Sequence, residues 1–122
     1  MTTQQKLMGL GTAAALAAQI AGDITAGITA AGSTQATATP IYSDVNVIST
    51  AAASTGVLLP NNRSAGDTVE VTNLGANALS VYPPTGGNIG TGAANAAFSV
   101  PVSKSAIFRQ VSATQWTQTL SA

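Results

Sequence analysis

Residues Asp67–Gly90, "DTVEVTNLGANALSVYPPTGGNIG", decide the fold. Val69 and Val71 fall on one face of an extended chain and Thr68, Glu70 and Thr72 on the other, the two-residue period of a half-buried strand. Gly75-Ala76-Asn77 is a turn signal, and "ALSVYP" resumes as a second β-type run. Pro83 and Pro84 end that run, because neither can donate to a ladder. Gly86, Gly87, Gly90 and Gly92 follow within seven positions, a density that phosphate-cradling loops share. The stretch lacks the Lys-Ser/Thr ending of a P-loop, and no helix is predicted after it. Its glycines are therefore expected to supply positive φ angles and a bend, with Ile89 tucked inward as an anchor.

The same period continues on both sides. "IYSDVNVIS" (41–49) places Ile41, Ser43, Val45 and Val47 on one face and Tyr42, Asp44, Asn46 and Ile48 on the other. "FSVPV" (98–102), "SAIFRQV" (105–111) and "WTQTL" (116–120) are further short β-type runs. Between the runs lie turn signals at Pro60-Asn61-Asn62, Ala65-Gly66-Asp67, Ser103-Lys104 and Ser112-Ala113-Thr114. Short strands at this spacing predict an all-β fold, a compact antiparallel β-sandwich or barrel-like domain over residues 40–122. Its expected core is Val45, Val47, Val69, Val71, Val81, Ile89, Phe98, Phe108 and Trp116.

Residues 1–39 read differently, as an N-terminal Ala-rich arm. Leu16, Ile20, Ile24 and Ile28 recur at steps of four, one face of a helix. Gly22 and Gly27 weaken any continuous helix there. The expectation is a short helix near 12–21, capped by Thr12, then a less regular arm and an extended linker through "AAGSTQATAT" (30–39). "LMGLGTAAALAAQIAG" (7–22), after Lys6, has the outline of a signal peptide, yet is expected to be retained and held in place. It is too short and too rich in Gly and Ala for a spanning helix. Leu7, Met8, Leu10, Leu16, Ile20, Ile24 and Ile28 are the candidate residues for docking on a capsid or on another subunit.

Composition removes most chemistry. The 122 residues contain no Cys and no His, which excludes thiolate nucleophiles, disulfides, His–carboxylate relays and zinc or copper centres built on those ligands. Charged residues are 7% of the chain, against about 25% in an average soluble domain. Four basic and four acidic side chains cancel, leaving no basic stripe for nucleic-acid phosphates. A neutral, weakly charged surface favours association, and oligomerisation is the available substitute for disulfides.

The remaining motifs are weak. "GLGTAA" (9–14) fits the outline of a dinucleotide fingerprint, but "TTQQKLM" before it is a poor strand, Asp23 comes too early and Asp44 too late for the ribose carboxylate. The carboxylates Asp23, Asp44, Asp67 and Glu70 have no nucleophile or base set among them, so no catalytic residue, cofactor or metal site is expected and the chain is not read as an enzyme. Cross-strand pairs Glu70–Arg109 and Asp67–Lys104 are conceivable surface contacts. Tyr42, Tyr82 and Trp116 are the aromatics a glycan platform would need; Trp116, opening the last run, is expected in the core instead.

Taken together, "GVLLPNNRSAGDTVEVTNLGANALSVYPPTGGNIG" (56–90) and "AAFSVPVSKSAIFRQVSATQWTQT" (96–119) resemble a β-module of small virion proteins of tailed bacteriophages, of the capsid decoration (cement) and head-fibre type. The pattern there is "lp…aGd.v.v.N.g…l.vyP..G..I" followed by "g.sa.f…s…W". The resemblance covers about half the chain, and Ser103-Lys104 stands where the pattern has a Gly-containing turn. It implies a homotrimer, made in the host cytoplasm and seated on the outer capsid surface of the virion. Its partner would be the major capsid protein, and it would stabilise contacts between capsid subunits with no nucleic acid or membrane involved. A head-fibre or tail-fibre segment with a host-glycan or receptor-binding role is the alternative.

Overall fold

The computed structural model describes residues 23–121, and every regular element in that span is a strand. In chain order these are β1 (Ile24–Thr29), β2 (Thr39–Pro40), β3 (Val45–Thr50), β4 (Gly56–Leu58), β5 (Thr68–Asn73), β6 (Leu79–Tyr82), β7 (Asn88–Ile89), β8 (Phe98–Val100), β9 (Ser105–Gln110) and β10 (Gln115–Leu120). They form a six-stranded sheet, β1-β3-β5-β9-β10-β7, and a four-stranded sheet, β2-β4-β6-β8. Through β8 the chain places successive strands in alternate sheets, so each pass adds one strand to each.

Alternation between sheets makes the neighbours parallel. β1, β3 and β5 pair in parallel, with Ile24 beside Val45 and Val45 beside Glu70. β2, β4 and β6 do the same in the smaller sheet, with Thr39 beside Val57 and Val57 beside Val81. The result is a short solenoid-like coil. A parallel pair needs a crossover between its strands, and here the crossover is itself a strand of the opposite sheet. After β6 the direction reverses: β8 runs antiparallel to β6, β9 to β5, and β10 to β9, while β7 lies parallel on β10.

Five of the eight strand pairings are therefore parallel, a correction to the antiparallel architecture expected from the alternation. A second correction concerns where β-structure begins. Residues 24–39, expected as arm and linker, supply β1 and the first residue of β2, so Ile24 and Ile28 lie on a strand rather than on the face of a helix. The step-of-four spacing does not survive because Gly27, at φ +73°, bulges β1 and shifts its register between Thr25 and Ile28. The helix expected near 12–21 lies outside the described residues.

The core fills the space between the sheets. Val69, Val71, Ala106, Phe108, Trp116, Ile48 and Ile89 come from the larger sheet, and Val57, Leu79, Val81 and Val100 from the smaller one. Phe98 on β8 packs edge-on against Phe108 on β9, ring centroids 5.8 Å apart and planes at 82°, which ties the two layers together. Val45 and Val47 do not join them. The chain bends at Ser43–Asp44, so the face that holds Ile41 and Ser43 is not the face that β3 buries. Asn46 and Ile48 point inward at 0% exposure, and Val45 and Val47 are half-buried on the outer side. The Nδ2 of Asn46 donates to the carbonyls of Ser43 (2.8 Å) and Glu70 (3.3 Å), while its Oδ1 is buried without a hydrogen-bond partner among the described residues.

Equivalent corners of the coil stack. One residue beyond β2, β4 and β6 come Ile41, Leu59 and Pro83, all buried; two residues beyond come Tyr42, Pro60 and Pro84. Ile41 N donates to Leu58 O (3.0 Å) and Leu59 N to Tyr82 O (2.9 Å), extending the ladder around the bend.

Candidate functional site

The glycine-rich loop is closed upon itself. Gly87 N donates to Pro84 O, Asn88 N to Thr114 O, Gly90 N to Trp116 O and Gly92 N to Ile89 O, at 2.8–3.0 Å. Gly86 N donates to Oδ1 of Asn95 (2.6 Å), and Asn95 N returns to Gly87 O (2.8 Å). These amides are the ones a phosphate would need, and each is already engaged. Gly86 (φ +86°) and Gly90 (φ +59°) make the bend. Ile89 is 5% exposed and sits beside Trp116 in the parallel β7–β10 pair.

Other positions that carry the family resemblance also have structural roles. The "aGd" triplet Ala65-Gly66-Asp67 is a turn: Asp67 Oδ2 accepts the Ser64 N–H, Asp67 N donates to Ser64 O, and Gly66 N donates to Gln110 O. The Asn and Gly of "N.g" are Asn73 and Gly75. Asn73 is fully buried; its Oδ1 accepts Gly75 N–H (2.9 Å), and its Nδ2 donates to Asn77 O (2.9 Å) and Val100 O (3.0 Å). One amide thus holds the β5–β6 turn and pins it to β8. Sequence reasoning met Asn73 only as the Asn of the "N.g" pattern and gave it no role, although an Asn two residues before a turn glycine was the available signal. Ser103, where the pattern has a glycine turn, adopts φ +65° and donates its N–H to Asn73 O (2.9 Å).

The carboxylates do not converge. Asp44 forms an ion pair with Nη1 of Arg63, whose Nη2 donates to Tyr42 O (2.8 Å), clamping the 61–64 corner to the stretch before β3. Asp23 accepts from Ser43 Oγ (3.3 Å). Glu70 lies across from Ile107, and Arg109 across from Thr68, so the two charges are diagonal neighbours. No group of three or more metal-ligating side chains occurs among the described residues.

Two surfaces remain. The first is the outer face of the larger sheet. Because Val69, Val71, Ala106 and Phe108 point inward, the alternating positions Thr68, Glu70, Thr72, Ser105, Ile107 and Arg109 point outward. Register places Ile24, Val45, Glu70, Ile107 and Thr119 in one row across five strands. Ile24 is 63% exposed and Ile107 44%. The second is a groove of about 270 Å³ at the stacked corner, lined by Pro40, Leu58, Asn61, Pro84 and Thr85, with Tyr42 74% exposed beside it. Tyr82 is half-buried and donates its hydroxyl to Ser33 O (3.0 Å), and Trp116 is 1% exposed.

Of the expected docking residues, Leu7, Met8, Leu10, Leu16 and Ile20 lie outside the described residues. Ile28 packs against the core, leaving Ile24 as the outward one. Among the expected core residues, Val69, Val71, Val81, Ile89, Phe108 and Trp116 are buried and Phe98 is partly buried. No helix among the described residues is long and apolar enough to cross a membrane. Comparison with known proteins adds no name to these surfaces: no protein-family model matches the chain, and no curated protein matches it.

Proposed function

We propose that the chain is a structural protein of a tailed-bacteriophage virion: a capsid decoration (cement) protein that binds the outer surface of the head as a homotrimer and stabilises contacts between capsid subunits. The observation that carries this reading is the outer sheet face, where Ile24, Val45, Val47 and Ile107 stand among threonines with one acid and one base. Such a face gains free energy by being covered, at about 25 cal/mol for each Å² of apolar surface removed from water. The resemblance of residues 56–119 to phage virion β-modules supports the same reading. A cement protein turns over no substrate. It acts by burying surface across subunit boundaries, so that expansion of the shell under packaged DNA must also break those contacts. With so few charges, the contacts depend on packing and backbone hydrogen bonds and should tolerate salt.

The test is the protein's place in an electron-microscopy map of the particle that carries it. Density on the head, bridging capsid subunits, is the expected result; density confined to the tail would refute the cement role. Docking through the N-terminal segment is tested separately. Leu16→Asp and Ile20→Asp variants should fail to co-sediment with heads that lack the protein, while their β-domain stays folded.

One observation favours a second reading, a head-fibre or tail-fibre segment that binds a host glycan. Tyr42 presents its ring beside the corner groove, with Asn61 and Thr85 as hydrogen-bonding groups and no charged side chain in the lining. Aromatic faces stack on the C–H face of neutral sugars. Saccharide binding abolished by Tyr42→Ala would establish it.

A further inference from the structure

We propose that copies of this chain meet through the outer face of the six-stranded sheet, with Glu70 of one copy against Arg109 of the next. The inference rests on the homo-oligomer reading above and adds the surface and the pairing that specify it. The geometry comes from the register. Ile24, Val45, Glu70, Ile107 and Thr119 form one row, and Arg109, flanked by Thr68 and Thr117, lies one pleat further along β9. β5, β9 and β10 are long neighbouring strands, so their outward side chains make a continuous surface.

Charge selects the occupant. Neither the Glu70 carboxylate nor the Arg109 guanidinium has a side-chain partner among the described residues. The face therefore offers one unpaired acid and one unpaired base beside exposed Ile107 and Ile24. A surface with one charge of each sign and no net charge is complementary to itself. A second copy satisfies both groups at once, each copy of a closed three-membered ring presenting Glu70 to one neighbour and Arg109 to the other. A strongly charged partner would satisfy one group and oppose the other. The surrounding Thr68, Thr72, Thr117 and Thr119 supply short hydroxyl side chains that let two sheets approach closely and cover Ile107.

The experiment uses the full chain at micromolar concentration, with mass measured by sedimentation equilibrium and folding checked by Trp116 emission. The wild type is expected to be oligomeric. Glu70→Arg and Arg109→Glu, taken singly, each place like charges in contact and should raise the dissociation constant at least tenfold. The double variant Glu70→Arg/Arg109→Glu should restore the wild-type mass. Ile107→Asn, at an exposed position that leaves the core intact, should dissociate the assembly without altering the emission spectrum, and it serves if a charge reversal does not fold. A monomeric wild type would overturn both the oligomer reading and this one. An oligomeric wild type whose mass is unchanged in the single variants and in Ile107→Asn would overturn the face alone. Single variants that dissociate with no recovery in the double variant would overturn the Glu70–Arg109 pairing.

Discussion

Removing the Asn73 amide should cost about 3 kcal/mol, because that side chain does the work of three backbone partners. Its Oδ1 accepts from Gly75 N, and its Nδ2 donates to Asn77 O and Val100 O, all within 2.9–3.0 Å and with the residue fully buried. A net hydrogen bond contributes roughly 1 kcal/mol, and a buried group left unpaired costs about 1–3 kcal/mol. Asn73→Ala orphans Gly75 N–H in the interior, while Val100 C=O keeps its place in the ladder opposite Leu79 and the carbonyl of exposed Asn77 is recovered by water. The amide's side-chain entropy, about 1 kcal/mol, is returned. The balance is a loss of about 3 kcal/mol, a large share of a typical domain's 5–15 kcal/mol. Asn73→Leu keeps most of the volume without the bonds and should lose a similar amount. Asn73→Asp keeps the acceptor for Gly75 but turns an oxygen toward two carbonyls, and should lose more.

The assay is urea unfolding followed by emission of Trp116, the sole tryptophan and 1% exposed, with stability taken by linear extrapolation at one fixed protein concentration. A loss below about 1 kcal/mol in Asn73→Ala, or wild-type stability in Asn73→Leu, would refute the reasoning by showing that burial rather than hydrogen bonding is what position 73 needs.

Three further outcomes are expected. The phase of β3 is tested by Ile48→Thr against Val47→Thr: the first puts a hydroxyl into the core and should cost about 2 kcal/mol, the second about 0.5 kcal/mol or less, both read from urea midpoints. At Ser103, whose φ is +65°, Ser103→Gly should be neutral or stabilising by about 0.5 kcal/mol and Ser103→Val destabilising by about 1 kcal/mol, as measured by thermal melting. Arg63→Ala removes the ion partner of Asp44 in a corner where the two side chains are 12% and 21% exposed, and should cost about 1–2 kcal/mol in the same melts.

Local pattern was legible wherever it is a property of one strand. The valines of 68–72, Phe108 and Trp116 could be placed inside from alternation alone, because side chains of any strand alternate whatever it pairs with. The turn signals at 65–67, 75–77 and 112–114 were readable for a similar reason, since Gly, Asn and Asp carry their turn preference locally. The candidate surfaces were less legible. Tyr42, Pro60 and Pro84 are far apart in sequence and become a groove only when coils stack. Glu70 and Arg109 share a face only because β5 and β9 are neighbours.

By itself, then, the sequence determined the all-β character of the described residues, the positions of their turns, most of their core and the absence of Cys and His chemistry. The tertiary structure decided strand direction, the phase of β3 and the place of residues 24–39. Alternation is blind to direction: a strand of given pattern buries the same face whether its neighbour runs parallel or antiparallel. What makes β1, β3 and β5 parallel is that the chain crosses to the other sheet between them, a choice set by the length and packing of the intervening segment. Val45 was misassigned for a related reason. A bend at Ser43–Asp44 resets the alternation, and the NH2 group of Asn46 in the interior is received by carbonyls of Ser43 and Glu70, the latter on a neighbouring strand.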